Sequence, residues 1–186
     1  MEIIPTKLEG VLIIKTNLFE DDRGSFVKTF NEESFSQLGI QPKFKESFYS
    51  ISKKNVARGM HFHVPPKDHS KLVYVTQGSA LDIVLDIRKG SPTYGEHITI
   101  ELSQKNHQLL FIPSGFAHGF ISQEDNTCMI YLQTGMYSPK EDSGISLNSI
   151  DVFGKNTTYI ISERDKDFIS FKDFDSPFVY NHENSN

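Results

Sequence analysis

The densest run of reactive side chains lies at 58–71, where the chain reads R-G-M-H-F-H-V-P-P-K-D-H-S-K. Side chains on a strand repeat every two residues, so an extended 60–63 puts His61 and His63 on one side. The same rule puts Lys71, Val73 and Val75 on one face of the following strand. Further along, P-S-G-F-A-H-G-F places His118 after a tight turn, and Tyr131 sits mid-strand in M-I-Y-L-Q. An imidazole can remove a proton near neutral pH, a phenol can return one, and a cation can steady an oxyanion formed between the two steps. Taken one at a time these residues have plainer uses: a hydrogen-bonded core histidine, a packed tyrosine, a solvated lysine, a loop arginine at Arg58. Their joint occurrence, with the spacings H-x-H and P-x-G-x-x-H, points to chemistry inside a barrel.

Short strands must hold these groups. Alternation of apolar and polar residues marks 80–87 (A-L-D-I-V-L-D-I), 97–102 (H-I-T-I-E-L) and 127–132. Shorter apolar runs of strand length occur at 72–75, 109–112 and 116–121. Turn residues at 77–78, 89–92, 113–115 and 124–126 separate them. Short strands with frequent turns predict an all-β sandwich or barrel. One helix is expected at 32–38, capped by Asn31, with acidic residues in its first turn and Gly39 past its end. The stretch 165–186, rich in Phe and Asp, is expected to form short helices over the barrel mouth, with 182–186 frayed.

The 186 residues suit one domain spanning 1–186, and 37% hydrophobic residues with 15 Phe supply a core. A net charge of -5 and the lack of a Lys/Arg block argue against a nucleic-acid partner. No apolar run approaches the roughly 18 residues of a membrane span, and no signal-peptide pattern opens the chain. A cytoplasmic protein without membrane association is therefore expected. The single cysteine, Cys128, has no internal disulfide partner and is expected to be a buried, unreactive thiol.

H-x-H followed by P-x-G-x-x-H resembles the two motifs of the cupin superfamily, which implies a double-stranded β-helix, or jelly-roll barrel, with a few short helices. Many cupins hold a metal with two His and a Glu from the first motif and a His from the second. His61, His63 and His118 stand at the histidine positions, but counting back from Gly78 the Glu position holds Lys71. An ammonium supplies no lone pair to a metal unless deprotonated, so no metal or other cofactor is expected.

A narrower resemblance runs over almost the whole chain. D-R-G-S-F at 22–26, S-K-K-N-V-A-R-G-M-H-F at 52–62, K-L-V at 71–73 and D-I-R-K-G-S-P-T-Y-G at 86–95 come in order. L-S-Q-K-N at 102–106, I-P-S-G-F-A-H-G-F at 112–120, Y-S-P at 137–139 and S-E-R-D at 162–165 follow. Together they resemble the dTDP-4-dehydrorhamnose 3,5-epimerase family, in divergent form. The resemblance implies that His61 is the base, Asp165 its carboxylate partner, Tyr131 the acid on the opposite face of the sugar, and Lys71 the cation beside the keto oxygen. It also implies that Arg23 and Arg58 grip the diphosphate of a nucleotide-linked sugar and that His118 lines the sugar pocket. Phe26, Glu46 and His63 join this substrate-binding set. A homodimer, with the N-terminal strand at 3–14 reaching the second subunit, is implied as well.

The departures cluster among the recognition groups. The family's usual Q-x-N is Glu46-Ser47-Phe48, the Gln usual after H-F is His63, and Lys28, Met136 and Leu147 replace a usual Glu, an aromatic and a Trp. The expected reaction is therefore inversion at C3, C5 or both, beside the C4 ketone of a nucleotide-linked 4-keto-6-deoxyhexose or related sugar. The nucleotide stays open among dTDP, CDP, GDP and UDP. A 3,4-ketoisomerase, a metal-dependent cupin oxygenase or isomerase, and a non-catalytic sugar-binding cupin are the alternatives.

Overall fold

Strand alternation sorts the chain into two sheets that share an interior. The structure is a computed structural model, described for residues 1–154 and 157–181. One sheet has six strands in the order β1 (Glu2–Pro5), β2 (Leu12–Lys15), β10 (Gln108–Ile112), β7 (Lys71–Gln77), β12 (Thr127–Gln133) and β5 (Glu46–Ser52). The other has five in the order β13 (Asp142–Gly144), β6 (Ala57–His63), β11 (Phe116–Ser122), β8 (Ser79–Asp86) and β9 (His97–Ser103). The pairs named in these sheets are antiparallel, as expected of a cupin-like β-fold. A separate hairpin, β3 (Leu18–Asp21) with β4 (Gly24–Val27), forms a two-stranded sheet of its own.

Each strand sends alternate residues to different layers. Val73, Val75, Val84, Leu110, Ile112, Phe116, Phe120 and Met129 meet between the sheets. The outer face of the six-stranded sheet offers Ile14, Leu72 and Leu109 to Phe35 of α1 (Glu32–Gln37). Asn31 caps that helix by accepting the Ser34 N–H at 3.0 Å, and Gly39 follows with φ +79°. The outer face of the five-stranded sheet offers Ile83, Leu85, Ala117 and Ile121 to Ile145, Leu147, Ile150 and Phe178. The late chain therefore covers a sheet face as well as approaching the barrel mouth through α2 (Glu163–Lys166). The expected tail at 182–186 lies outside the described residues. The 3–14 segment folds back on its own chain, with Glu2 opposite Lys15 and β2 paired to β10. Cys128 is half-buried rather than buried, because it takes an outward position of β12.

In β6 the alternation breaks at Gly59. Ala57 and Met60 both face the outer layer although they are three residues apart, while Arg58, His61 and His63 line the inner cavity. The β6–β11 register shifts at this point. Gly59 takes φ +127°, and a Cβ there would lie 2.5 Å from the Cα of Gly119 on β11. Glycine is required twice over, for the dihedral and for the close approach. Gly59→Ala is expected to destabilise the fold by about 2–4 kcal/mol, within the range of steric and backbone-strain mutants. Urea unfolding checks this: an unchanged midpoint would show that the crossing tolerates a methyl group.

Candidate active site

A cavity of about 310 Å³ opens between the sheets. His61, His63, His118 and Arg58 come from the five-stranded sheet, and Tyr131, Lys71, Phe48 and Glu46 from the six-stranded one. His61 is directly opposite His118 across the β6–β11 ladder, so both rings leave the same face. Tyr131 is opposite Phe48 on one side and Val73 on the other, and Gln133 is opposite both Glu46 and Lys71. The two sheets meet where the His118 and Tyr131 rings approach edge-on at 6.2 Å.

His61 Nε2 lies 2.9 Å from Asp165 Oδ1, and the Gly59 N–H donates to Asp165 Oδ2 at 3.0 Å. The break in β6 thus frees a backbone donor that holds the carboxylate. Asp165 lies in the first turn of α2, where its N–H donates to the hydroxyl of the capping Ser162, which fixes its approach. Burial alone would push this carboxyl up, but the bonds from His61 and Gly59 outweigh it and hold it below its usual range. A charged carboxylate on one ring nitrogen leaves Nδ1 of His61 as the basic atom and stabilises the imidazolium that proton removal creates. Phe168 packs edge-on against the ring at 5.6 Å, and a third of the His61 side chain remains exposed.

Lys71 crosses the interior and donates from Nζ to the His61 carbonyl at 3.1 Å. Burial lowers its pKa to about 8, with Asp142 and Asp82 opposing the shift. An ammonium stripped of water in this way gains more from a new anion than a solvated one would. Burial pushes the Tyr131 phenol well above its ordinary range, helped by the Asp82 carboxylate, so it keeps its proton at neutral pH. Its ring stacks on Phe48 with centroids 4.6 Å apart and planes at 16°. His118 Nε2 bonds Asp82 Oδ2 at 2.8 Å in a buried pair. Burial raises the Asp82 pKa, while His118 and Lys71 draw it back.

The cavity thus brings together an imidazole held by a carboxylate, a protonated phenol and a buried ammonium. A family model described as dTDP-4-dehydrorhamnose 3,5-epimerase matches residues 5–173. The chain belongs to that family. It is 39% identical over 170 residues to the dTDP-4-dehydrorhamnose 3,5-epimerase of Methanothermobacter thermautotrophicus, covering 89% of this chain and 91% of the relative. The enzyme of the same name from Escherichia coli K12 is 41% identical over 149 residues, covering 80% of each chain. The crystal structure of the Legionella pneumophila dTDP-6-deoxy-D-glucose-3,5-epimerase in complex with dTDP-4-keto-L-rhamnose superposes with a TM-score of 0.90. That match has 31% identity and covers 97% of this chain and 99% of the other. Family membership makes the chain an isomerase of the epimerase type.

Eight of the ten residues assigned from the sequence meet at this epimerase-family cavity: His61, Tyr131, Lys71, Arg58, His118, Glu46 and His63 line it, and Asp165 stands behind His61. Arg23 and Phe26 do not line it in this chain. They sit on the β3–β4 hairpin, where Arg23 is 90% exposed and paired with Asp21, and Phe26 projects beside Phe19. The sequence reading missed Asp82, Asp142, Tyr137 and Arg164 as site residues. Asp82 faces inward with Ala80 and Val84, although the wholly apolar row Leu81, Ile83, Leu85 and Ile87 makes the alternation read as if Asp82 faced out. Arg164 sat unassigned within S-E-R-D; it pairs with Asp142 at 2.6 Å and lines the cavity. The Nε2 atoms of the three cupin-motif histidines are engaged by Asp165, the Ser138 N–H and Asp82, and among the described residues no cluster of three or more metal-ligating groups occurs. No helix among the described residues is long and apolar enough to cross a membrane.

The buried ammonium has a measurable signature. The unfolded chain holds the Lys71 proton up to the ordinary lysine value of 10.5, the folded chain only to about 8. Between those values the unfolded state binds more protons, so stability rises with pH across that window. Lys71→Met is expected to remove this rise and to be more stable at neutral pH, by up to about 3 kcal/mol for a shift of this size. Denaturant titrations at neutral and alkaline pH check both signs.

Proposed function

We propose that this chain is an epimerase of nucleotide-linked 4-keto-6-deoxyhexoses, working without a cofactor and taking dTDP as its nucleotide. The observation that carries the reading is an opposition across one cavity. The His61–Asp165 base projects from one sheet, the protonated Tyr131 from the other, and Lys71 reaches between them. A hydrogen on a carbon beside the C4 ketone becomes removable once charge spreads onto the oxygen, where the Lys71 ammonium meets it. His61 takes the proton from one face, Tyr131 returns one from the other, and the centre inverts. Carbons C3 and C5 both flank the ketone, so one site serves either or both. The names of the relatives and the dTDP sugar bound by the Legionella enzyme support the choice of nucleotide.

Arg58 holds the diphosphate from inside the cavity, its Nε resting on the Ser52 hydroxyl at 3.1 Å. Arg23 and Phe26 serve the site from a second subunit in a homodimer, because their own hairpin turns them outward. Light scattering is expected to give about twice the chain mass of 21.2 kDa. Arg23→Ala is expected to raise KM about ten-fold with little change in kcat, as for a binding contact used equally in ground and transition states. A fully active monomer would remove the second-subunit role.

The chemical roles are separable in deuterium oxide with dTDP-4-keto-6-deoxyglucose as substrate. His61→Ala is expected to abolish deuterium incorporation, and Asp165→Asn to slow it by about 10²–10⁴-fold with the fold intact. Tyr131→Phe is expected to incorporate deuterium with retention while inverted product falls. Mass and NMR analysis of the recovered sugar distinguishes these results. Normal inversion by Tyr131→Phe would overturn the acid assignment, and wild-type exchange by His61→Ala would overturn the mechanism.

A further inference from the structure

Two imidazoles beside Lys71 have no part in the proton transfers above. His63 on β6 and His69, in the loop before β7, are both more than nine-tenths buried, with ring centroids 4.6 Å apart. His69 Nδ1 lies 2.9 Å from the Lys67 carbonyl, which accepts only from an N–H, so the proton sits on Nδ1 and Nε2 is a bare lone pair. His63 Nε2 is 3.2 Å from the Ser138 N–H and must be the acceptor there, so its proton sits on Nδ1. The two remaining ring atoms, His63 Nδ1–H and His69 Nε2, are buried with no hydrogen-bond partner. They are a donor and an acceptor on neighbouring rings. His69 is seated tightly, since a Cβ on Gly135 would lie 2.5 Å from its Nδ1.

The chain that His63 holds is the rim of the cavity. Tyr137, half-exposed at the opening, is fixed by two consecutive backbone bonds: its own N–H donates to Glu46 Oε2 at 2.6 Å, and the Ser138 N–H donates to His63. The Tyr137 ring also meets the His63 ring edge-on at 5.7 Å. We propose that His63, its Nε2 accepting from the Ser138 N–H, is a positioning residue that latches the 137–138 rim over the bound nucleotide sugar. The proposal rests on the cavity's being the nucleotide-sugar site.

The latch requires a lone pair on Nε2, so a protonated His63 releases it. Burial, His69 and Lys71 resist protonation, while Asp142 from β13 and Glu46 from β5 favour it; the net effect lowers the His63 pKa. His69 faces Lys71 and Asp68 and is also lowered, first by burial. The rim therefore stays latched at neutral pH and loosens only on the acid side of the ordinary imidazole range.

Amide exchange of Ser138 reads the latch directly, without ligand. From about pH 7.5 to about pH 5 the wild-type Ser138 protection factor is expected to fall roughly five- to ten-fold, the worth of one net hydrogen bond, while β11 amides hold. Gln offers a carbonyl oxygen that never protonates in this range, so His63→Gln is expected to keep Ser138 protection level with pH. His63→Leu is expected to lack it throughout. Level protection in the wild type, or an equal fall in His63→Gln, would overturn the proposal. Binding of dTDP-glucose, which carries no group titrating in this range, is expected to weaken with acid several-fold more in the wild type than in His63→Gln. Failure of dTDP-glucose to bind at neutral pH would sink the functional reading and leave the exchange result standing. Tight binding with a pH-independent Ser138 amide would sink the latch alone.

Discussion

Gly59 and Gly119 pass each other without side chains, and that crossing decides which way the rest of β6 faces. Had the strand kept its period of two, the inward set would have held Arg58 and Met60, and His61 would have faced the outer layer. The break reverses this, and Met60 joins the outer apolar cluster. It also leaves one backbone donor unpaired in the ladder, which finds Asp165. A single irregularity therefore places the imidazole, anchors its carboxylate and aligns His61 with His118 across the ladder.

The remainder of the site follows from burial. The phenol, carboxylate and ammonium sit where water is scarce, and each is perturbed in the direction its proposed role requires. The phenol is kept protonated, the carboxylate is kept ionised by its donors, and the ammonium is held without a full-strength counterion. The fold supplies no electron sink of its own to the reaction as proposed; the ketone of the sugar is the sink. That division of labour lets the protein act through placement and electrostatics alone.

Much of this was legible in the residues, for identifiable reasons. The strands at 80–87, 97–102 and 116–121 and the helix capped by Asn31 announce themselves through period and turn chemistry, which are local. His61 and His63 share a face by the same local rule. The pairing of His61 with Asp165 spans 104 residues, and no periodicity reveals it; only the family resemblance pointed there. Asp82 was hidden in a strand that reads as well-behaved alternation, because a carboxylate at an inward position looks like an outward one until the sheet face is known. Arg23 shows a different limit: its motif is plain, yet one chain carries it away from the cavity it was expected to serve. The His63–His69 pair shows another, since tautomers depend on carbonyl and amide groups that side-chain sequence does not encode.

The base and the acid proposed here belong to different sheets, and Val73, Val84, Phe120 and Met129 fill the space between those sheets. That apolar filling is thus a spacer with a fixed thickness, in a packed interior where a single methylene is felt. The sugar ring must fit across the gap so that one face meets imidazole and the other meets phenol. Stereochemical outcome then becomes a matter of interlayer distance. On the roles proposed above, repacking Val73, Val84 or Met129, which do not line the cavity, would change how the sugar ring is presented to the two groups.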